Sequence, residues 1–308
     1  MAAYLTTREA YGEALAKLGQ TRDFLVLDAD LAKATQTVRF QKKFPERFFD
    51  MGIAEGDMMT TAAGMATTGK TVFASTFAMF ASGRAYEQVR NSIAYPNLHV
   101  IIGATHGGVL IGEDGASHQC IEDISLMRTM PNMTVVVPCD AASVFEAVKA
   151  ALDWEGPVYL RFGRASCPPV YGEKAPFTLG RGNVLRDGSD VTIIAIGDMV
   201  YEALGACEIL RQQGISAAVI DMHTVKPIDR ELILEYAGKT GKIVTAEDHN
   251  IIGGLGSAVA EVLAEENCAR LRRVGIPDTF GRSGKRADLQ QYFGLTAEHI
   301  AEVCRSGF

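Results

Sequence analysis

No stretch of this sequence approaches the roughly 20 consecutive apolar residues that a membrane-spanning helix needs. The opening segment MAAYLTTREA also lacks the apolar core of a secretory signal. A soluble, cytoplasmic protein is expected. No CxxC pair occurs among the cysteines, Cys120, Cys139, Cys167, Cys207, Cys268 and Cys304. That scatter argues against a zinc site or redox couple and suits a reducing compartment. Basic residues are neither in excess nor clustered: the net charge is -7, so the electrostatic footprint of a nucleic-acid-binding protein is missing. Internal repeats and low-complexity tracts are absent too. What remains is an ordinary globular balance, 47% hydrophobic and 22% charged over 308 residues. A chain of this length buries a sizeable core without staples, and two domains are the default expectation.

Apolar runs rich in Val, Ile and Phe alternate with amphipathic stretches, the pattern of βα units around a mainly parallel sheet. The fold class is therefore α/β. The pattern predicts strands over 24–30, 71–77, 99–105, 134–138 and 158–162, and helices over 8–18, 55–68, 83–94 and 141–152. From 164 to 190 prolines and glycines interrupt any period. The expected division is a first domain over 1–165, a linker over 166–188 and a smaller domain over 189–308, each domain a mainly parallel sheet flanked by helices. In the second domain strands are expected over 191–196, 217–221 and 242–246, and helices over 201–213, 230–237 and 257–265.

Two glycine motifs suggest nucleotide binding, and each has a second reading. Residues Gly64 to Thr71, GMATTGKT, match the phosphate-loop pattern. That loop works when a strand leads into it and a helix N-terminus follows, whereas here the helix comes first. Gly69 then reads as a helix end, with Lys70 beside the carbonyl end of the dipole. Gly253, Gly254 and Gly256 follow a plausible strand and open a plausible helix, with Asp278 about where a ribose-binding acid would sit. Val259 occupies the place of the third glycine, which favours a tight supporting turn.

The informative region runs from Asp50 to Gln119. Glu55, in DMGIAEGDMM, starts a helix just after a strand; a carboxylate there also has a plain dipole-stabilising reading. Phe77 and Phe80 stand at a strand end and helix entry, in ASTFAMFASGRAYEQVR. His106, Asp114 and His118 crowd into one glycine-rich loop, ATHGGVLIGEDGASHQ. Loops at the carboxyl ends of parallel strands are where α/β sheets bind ligands, so three ionisable groups there mark a site.

With GIAE, STFAMF, the TH…GEDGASHQ loop, GPVYLR, the glycine turn after AEDH and PDTFGRSGK, the chain resembles the transketolases over essentially its whole length. The likeness is to their pyrimidine-binding and C-terminal domains without the diphosphate-binding domain, as in the smaller subunit of a split transketolase. It implies two-carbon ketol transfer from a ketose to an aldose, using thiamine diphosphate. In that family a Gly-Asp-Gly motif with a later Asn holds magnesium and the cofactor's tail, and this chain has no GDG. The resemblance therefore implies an N-terminal, diphosphate-binding partner subunit that carries the Mg2+ ligands, assembled as α2β2 with sites between chain types.

The resemblance also assigns roles. Glu55 would hydrogen-bond the aminopyrimidine and promote its imino tautomer, Phe77 and Phe80 would stack on that ring, and Asp30 would lie next to the cofactor. His118 would serve the reacting carbon as donor and proton shuttle. Asp114 would recognise a sugar hydroxyl, and His106, Arg161 and Arg8 would grip the sugar phosphate. Arg161 and Arg8 both keep a second reading as structural ion-pair residues. The family's phosphate-binding serine falls at Ala34 and its third pocket aromatic at Gly83, so a sulfonate or other anion stays open as the substrate's terminal group. Deoxyxylulose-phosphate synthases and the β subunits of 2-oxoacid dehydrogenases share the two-domain plan. The paired histidines with GEDG, and the SGK segment, favour transketolase. A non-catalytic scaffold on the same fold is the other alternative.

Overall fold

The computed structural model describes residues 4–164, 166, 168–266 and 268–308. Its first six strands are β1 (Leu25–Asp28), β2 (Phe48–Asp50), β3 (Val72–Phe77), β4 (Val100–Thr105), β5 (Thr134–Val136) and β6 (Val158–Arg161). All residues of β3 and β4 are buried, as parallel strands covered by helices on both faces must be. The register sets Phe77 opposite Thr105. The last residue of β3 thus stands level with the last residue of β4, and the loops that follow leave from the same edge.

Helices Thr7–Leu18 and Ala141–Leu152 cover one face of this sheet, around Tyr11, Leu15, Phe73 and Val148. The first begins with a reciprocal cap: the Thr6 hydroxyl accepts from the Glu9 N–H, and the Glu9 carboxylate accepts from the Thr6 N–H at 2.9 Å. That cap sets where the first turn, with Arg8, meets the sheet edge. Helix Glu55–Ala66 packs on the other face through Met58, Met59 and Ala62.

The second half adds β7 (Asn183–Arg186), β8 (Val191–Ala195), β9 (Ala217–Asp221), β10 (Thr224–Lys226), β11 (Lys242–Asn250) and β12 (Arg270–Ile276). Among the described residues, two sheets form. One has the order β10-β5-β6-β4-β3-β1-β2, the other β12-β11-β8-β9-β7. Both are parallel except at an edge, where β10 and β7 run antiparallel to β5 and β9.

Three features depart from the sequence expectation. Strand β7 lies inside the segment expected to be linker, so the second sheet begins before residue 189. Strand β10 belongs by sequence to the second domain but completes the first sheet, and one apolar core, with Met127 and Val135 beside Ile220, Met222 and Leu255, runs through both halves. The helix expected over 83–94 is instead a π-helical turn, Phe80–Arg84, a short α-helical segment, Tyr86–Gln88, and a second π-helical stretch, Val89–Ala94. Such turns recur at functional sites.

Neither nucleotide motif finds its context. GMATTGKT closes a helix and precedes β3, and Lys70 pairs with Asp23 at 3.1 Å. At the second motif, the helix Leu255–Glu266 already has an anion at its N-terminus: the Glu247 carboxylate accepts from the Leu255 and Gly256 N–H groups at 2.7 and 2.8 Å. A Cβ on Gly254 would lie 2.0 Å from a Glu247 oxygen. The glycine there makes room for an internal carboxylate. No helix among the described residues is long and apolar enough to cross a membrane.

Where the halves meet, the buried Asp221 carboxylate accepts from the Tyr171 hydroxyl at 2.7 Å and the Cys139 thiol at 3.6 Å. Burial pushes its carboxyl up to about 7, well above the ordinary value near ~3.9. A folded value raised in this way contributes stability that is complete below about pH 4 and is lost as pH rises through about 7. Asp221→Asn, which imitates the protonated group, is therefore expected to flatten the fall in Tm across pH ~4 to ~7. Thermal melts of the two proteins over that range check it; identical slopes would refute it.

Candidate active site

The site grows from the common edge of β3 and β4. Phe77 ends β3 and Phe80 opens the π-helical turn three residues later, which lays the rings side by side with centroids 5.7 Å apart and planes 17° apart. His106, the first residue beyond β4, stacks on Phe77 at 3.8 Å. His118 returns from the far end of the glycine-rich loop and stands edge-on to Phe80 at 5.5 Å and to Phe77 at 6.3 Å. Four residues separated by up to 41 positions thus form one cluster.

Glu55 joins it through a residue that sequence reasoning missed. Its side chain is 1% exposed, and both carboxylate oxygens accept from Arg84 Nη1, at 2.9 and 3.0 Å. The same guanidinium lies over the Phe80 ring at 4.3 Å, an attractive placement for a cation. The expectation was a helix over 83–94. Phe80 and Arg84 instead open and close one π-helical turn, which only the backbone shows.

The second missed residue is Arg164. Its Nη1 donates to the Ile111 carbonyl at 2.8 Å and lies 3.4 Å from the Asp114 carboxylate. Arg8, whose Nη1 donates to the Ala34 carbonyl at 3.0 Å, is close enough to depress His106 together with Arg164. Arg8 Nε is buried and makes no hydrogen bond to the protein. Burial, reinforced by Arg8, Arg164 and His118, pushes His106 down to about 3. At neutral pH His106 is uncharged, with Nδ1 paired to the Thr105 hydroxyl at 2.9 Å. It therefore offers a hydrogen bond to a ligand, while the charge comes from the two arginines.

Arg161, expected to grip the same anion, is placed differently. It is 5% exposed. Its Nε donates to Asp123 Oδ2 at 2.8 Å, and its Nη2 donates to the carbonyls of Cys120 and Asp248 at 3.1 and 2.9 Å. This is the structural ion pair that the sequence left open, and its donors point into the protein. The spacing LRFGR carries the available signal for the replacement: Arg164, three residues on, has left the strand and faces the loop. Asp30 lies just beyond β1. It is exposed, its N–H donates to Asp50 at 3.1 Å, and it borders a hollow of about 350 Å³. Among the described residues no group of three or more His, Cys, Asp or Glu is placed to hold a metal ion.

Residues 3–169 match the family model for the transketolase pyrimidine-binding domain, and residues 180–300 match that for the transketolase C-terminal domain. A Methanocaldococcus jannaschii protein described as a transketolase C-terminal section is 52% identical over 97% of this chain and 95% of its own length. A 6-deoxy-6-sulfo-D-fructose transketolase subunit of Clostridium sp. is 45% identical over 96% and 92%. An apulose-4-phosphate transketolase subunit of Phocaeicola vulgatus is 40% identical over 97% and 96%. Among solved structures, a split-gene transketolase described as an inactive beta4 tetramer superposes with a TM-score of 0.92 at 54% identity, covering 98% of this chain and 97% of that one. The chain belongs to the transketolase family and comprises its pyrimidine-binding and C-terminal domains.

Proposed function

We propose that this chain is the C-terminal subunit of a split, thiamine diphosphate-dependent transketolase that moves a two-carbon ketol unit from an anionic ketose to an aldose. The observation that carries the reading is the cluster of Glu55, Phe77, Phe80, His106 and His118 on one sheet edge. The pyrimidine half of the cofactor fits what is present. A flat pair of phenylalanine rings is available for stacking, beside a buried carboxylate whose partner Arg84 is half exposed. When bound, the cofactor would supply the nucleophilic carbon chemistry that ketol transfer needs.

This chain's own residues orient and hold protons around that chemistry. Glu55 holds the ring nitrogen of the aminopyrimidine. His118, half-buried and paired through Nδ1 with the Ser117 hydroxyl at 3.0 Å, donates to the oxygen where negative charge develops. Asp114 takes a sugar hydroxyl. Arg8 and Arg164 hold the terminal anion, for which the buried, unpaired Nε of Arg8 is a ready donor. Ala34 offers Arg8 a backbone carbonyl and no side-chain hydroxyl, so the two arginine forks are the charged donors of the anion site. The relatives include transketolases of a sulfo sugar and of a sugar phosphate, and this pocket suits either head group. The diphosphate and Mg2+ are assigned to an N-terminal partner chain, paired with this one as α2β2.

Three outcomes are expected. Calorimetry of the full chain alone with Mg2+ and thiamine diphosphate should show no tight binding, and addition of the partner should restore it; tight binding by the lone chain would refute the assignment of the diphosphate site. In the assembled enzyme, Glu55→Gln should keep assembly but lower ketol transfer by about 10² to 10⁴-fold, the range of a positioned acid–base group; unchanged turnover would return Glu55 to a structural role. The two arginines should separate cleanly. Arg164→Ala should raise KM for the anionic sugar and spare a neutral analogue, since uniform binding is lost. Arg161→Ala should instead lower stability by about 3 kcal/mol or more, because Asp123 is left buried without its partner. Chemical denaturation and substrate titration of both variants make the comparison, and a reversed pattern would restore Arg161 to the anion site.

A further inference from the structure

The loop that carries His106, Asp114 and His118 is held from the other domain. His106 has φ of +62°, a left-handed conformation that a bulky residue keeps only when its surroundings fix it. The four N–H groups that follow are all engaged. Gly107 donates to the Phe162 carbonyl at 3.0 Å and Gly108 to the Cys120 carbonyl at 2.7 Å. Val109 and Leu110 donate to the two carboxylate oxygens of Asp248, at 2.9 and 3.1 Å. Asp248 lies on β11, in the C-terminal domain.

The surroundings of Asp248 are built around that contact. A Cβ on Gly108, where φ is +84°, would lie 2.0 Å from Asp248 Oδ2, so only glycine admits the carboxylate. The side chains of Val109 and Leu110 are buried in the apolar core of the C-terminal domain. Arg161 ties the Asp248 carbonyl to that of Cys120 at the loop's other end. A second staple acts in the same direction: Gln119 Nε2 donates to the Gly112 carbonyl and to the Arg282 carbonyl of the C-terminal domain, at 3.1 and 2.9 Å.

We propose that Asp248 is a positioning residue for the substrate loop: its carboxylate, buried in the C-terminal domain, fixes the backbone at 107–110 and through it the placement of His106 and His118. The C-terminal domain thereby takes part in substrate recognition without lending a side chain to the pocket. The inference rests on the transketolase reading only for what the loop binds.

Asp248→Asn keeps the shape but replaces one acceptor with a donor facing an N–H. Gly108→Ala reaches the same contact from the loop side. Amide hydrogen exchange of the full chain is expected to quicken about tenfold or more at Val109 and Leu110 in both variants, the scale of losing a charge-assisted hydrogen bond. Protection of Lys242–Asn250 and Arg270–Ile276 should stay as in the parent. In the enzyme assembled with its partner, KM for the anionic sugar should rise about tenfold, as expected when reacting groups shift slightly. Thiamine diphosphate affinity, which depends on Glu55, Phe77 and Phe80, should not change. Unchanged loop exchange, equal loss of protection in loop and strands, or failure of both variants to fold would each overturn the proposal. If the parent assembly shows no ketol transfer, the functional reading fails, while the exchange result still decides the role of Asp248.

Discussion

The buried ion pair between Arg161 and Asp123 is the contact on which the geometry of the site depends. A guanidinium removed from water must have partners for its donors, and an uncompensated one is strongly destabilising. Here the partners come from two parts of the chain: Cys120 and Asp123, where the glycine-rich loop ends and helix Asp123–Thr129 begins, and Asp248 on β11. Tyr159 adds its hydroxyl to the same Asp123 oxygen at 2.9 Å. Once these groups are satisfied, the end of the loop and β11 are tied to the same strand.

The division of charge around the site follows from burial. His106 is deep enough to stay neutral at physiological pH, whereas Arg8 and Arg164 keep their charge because a guanidinium cannot readily lose its proton. A ligand with a terminal anion thus meets fixed positive charge at one end and an aromatic and imidazole cluster at the other. Glu55 is the opposite case. It is a carboxylate hidden from water whose burial is compensated by a half-exposed arginine.

The two halves also share more than the linker suggests. A strand from the second half completes the first sheet, and one apolar core passes between them. Loop residues of the first half pack into the core of the second. The interface resembles the interior of a single domain, which explains how contacts made in one half can hold a loop of the other to within a hydrogen bond.

Alternating apolar and amphipathic runs were enough to place β3, β4, β9 and the helix Ala141–Leu152 within a residue or two, because their periodicity reflects local burial. The candidate residues Glu55, Phe77, Phe80, His106, Asp114 and His118 could be singled out for a related reason, since each ends or begins an element, or lies in a loop, at the carboxyl edge of a strand. The sequence could not separate Arg161 from Arg164, which differ only in whether the chain is still in the strand or has left it. Nor could it show Arg84 reaching Glu55 across a π-helical turn, β10 joining the sheet of the other half, or Asp248 closing on Gly108. Those are contacts between residues far apart in the chain. Composition and period record which residues are buried, whereas only the folded backbone decides which buried charge meets which partner.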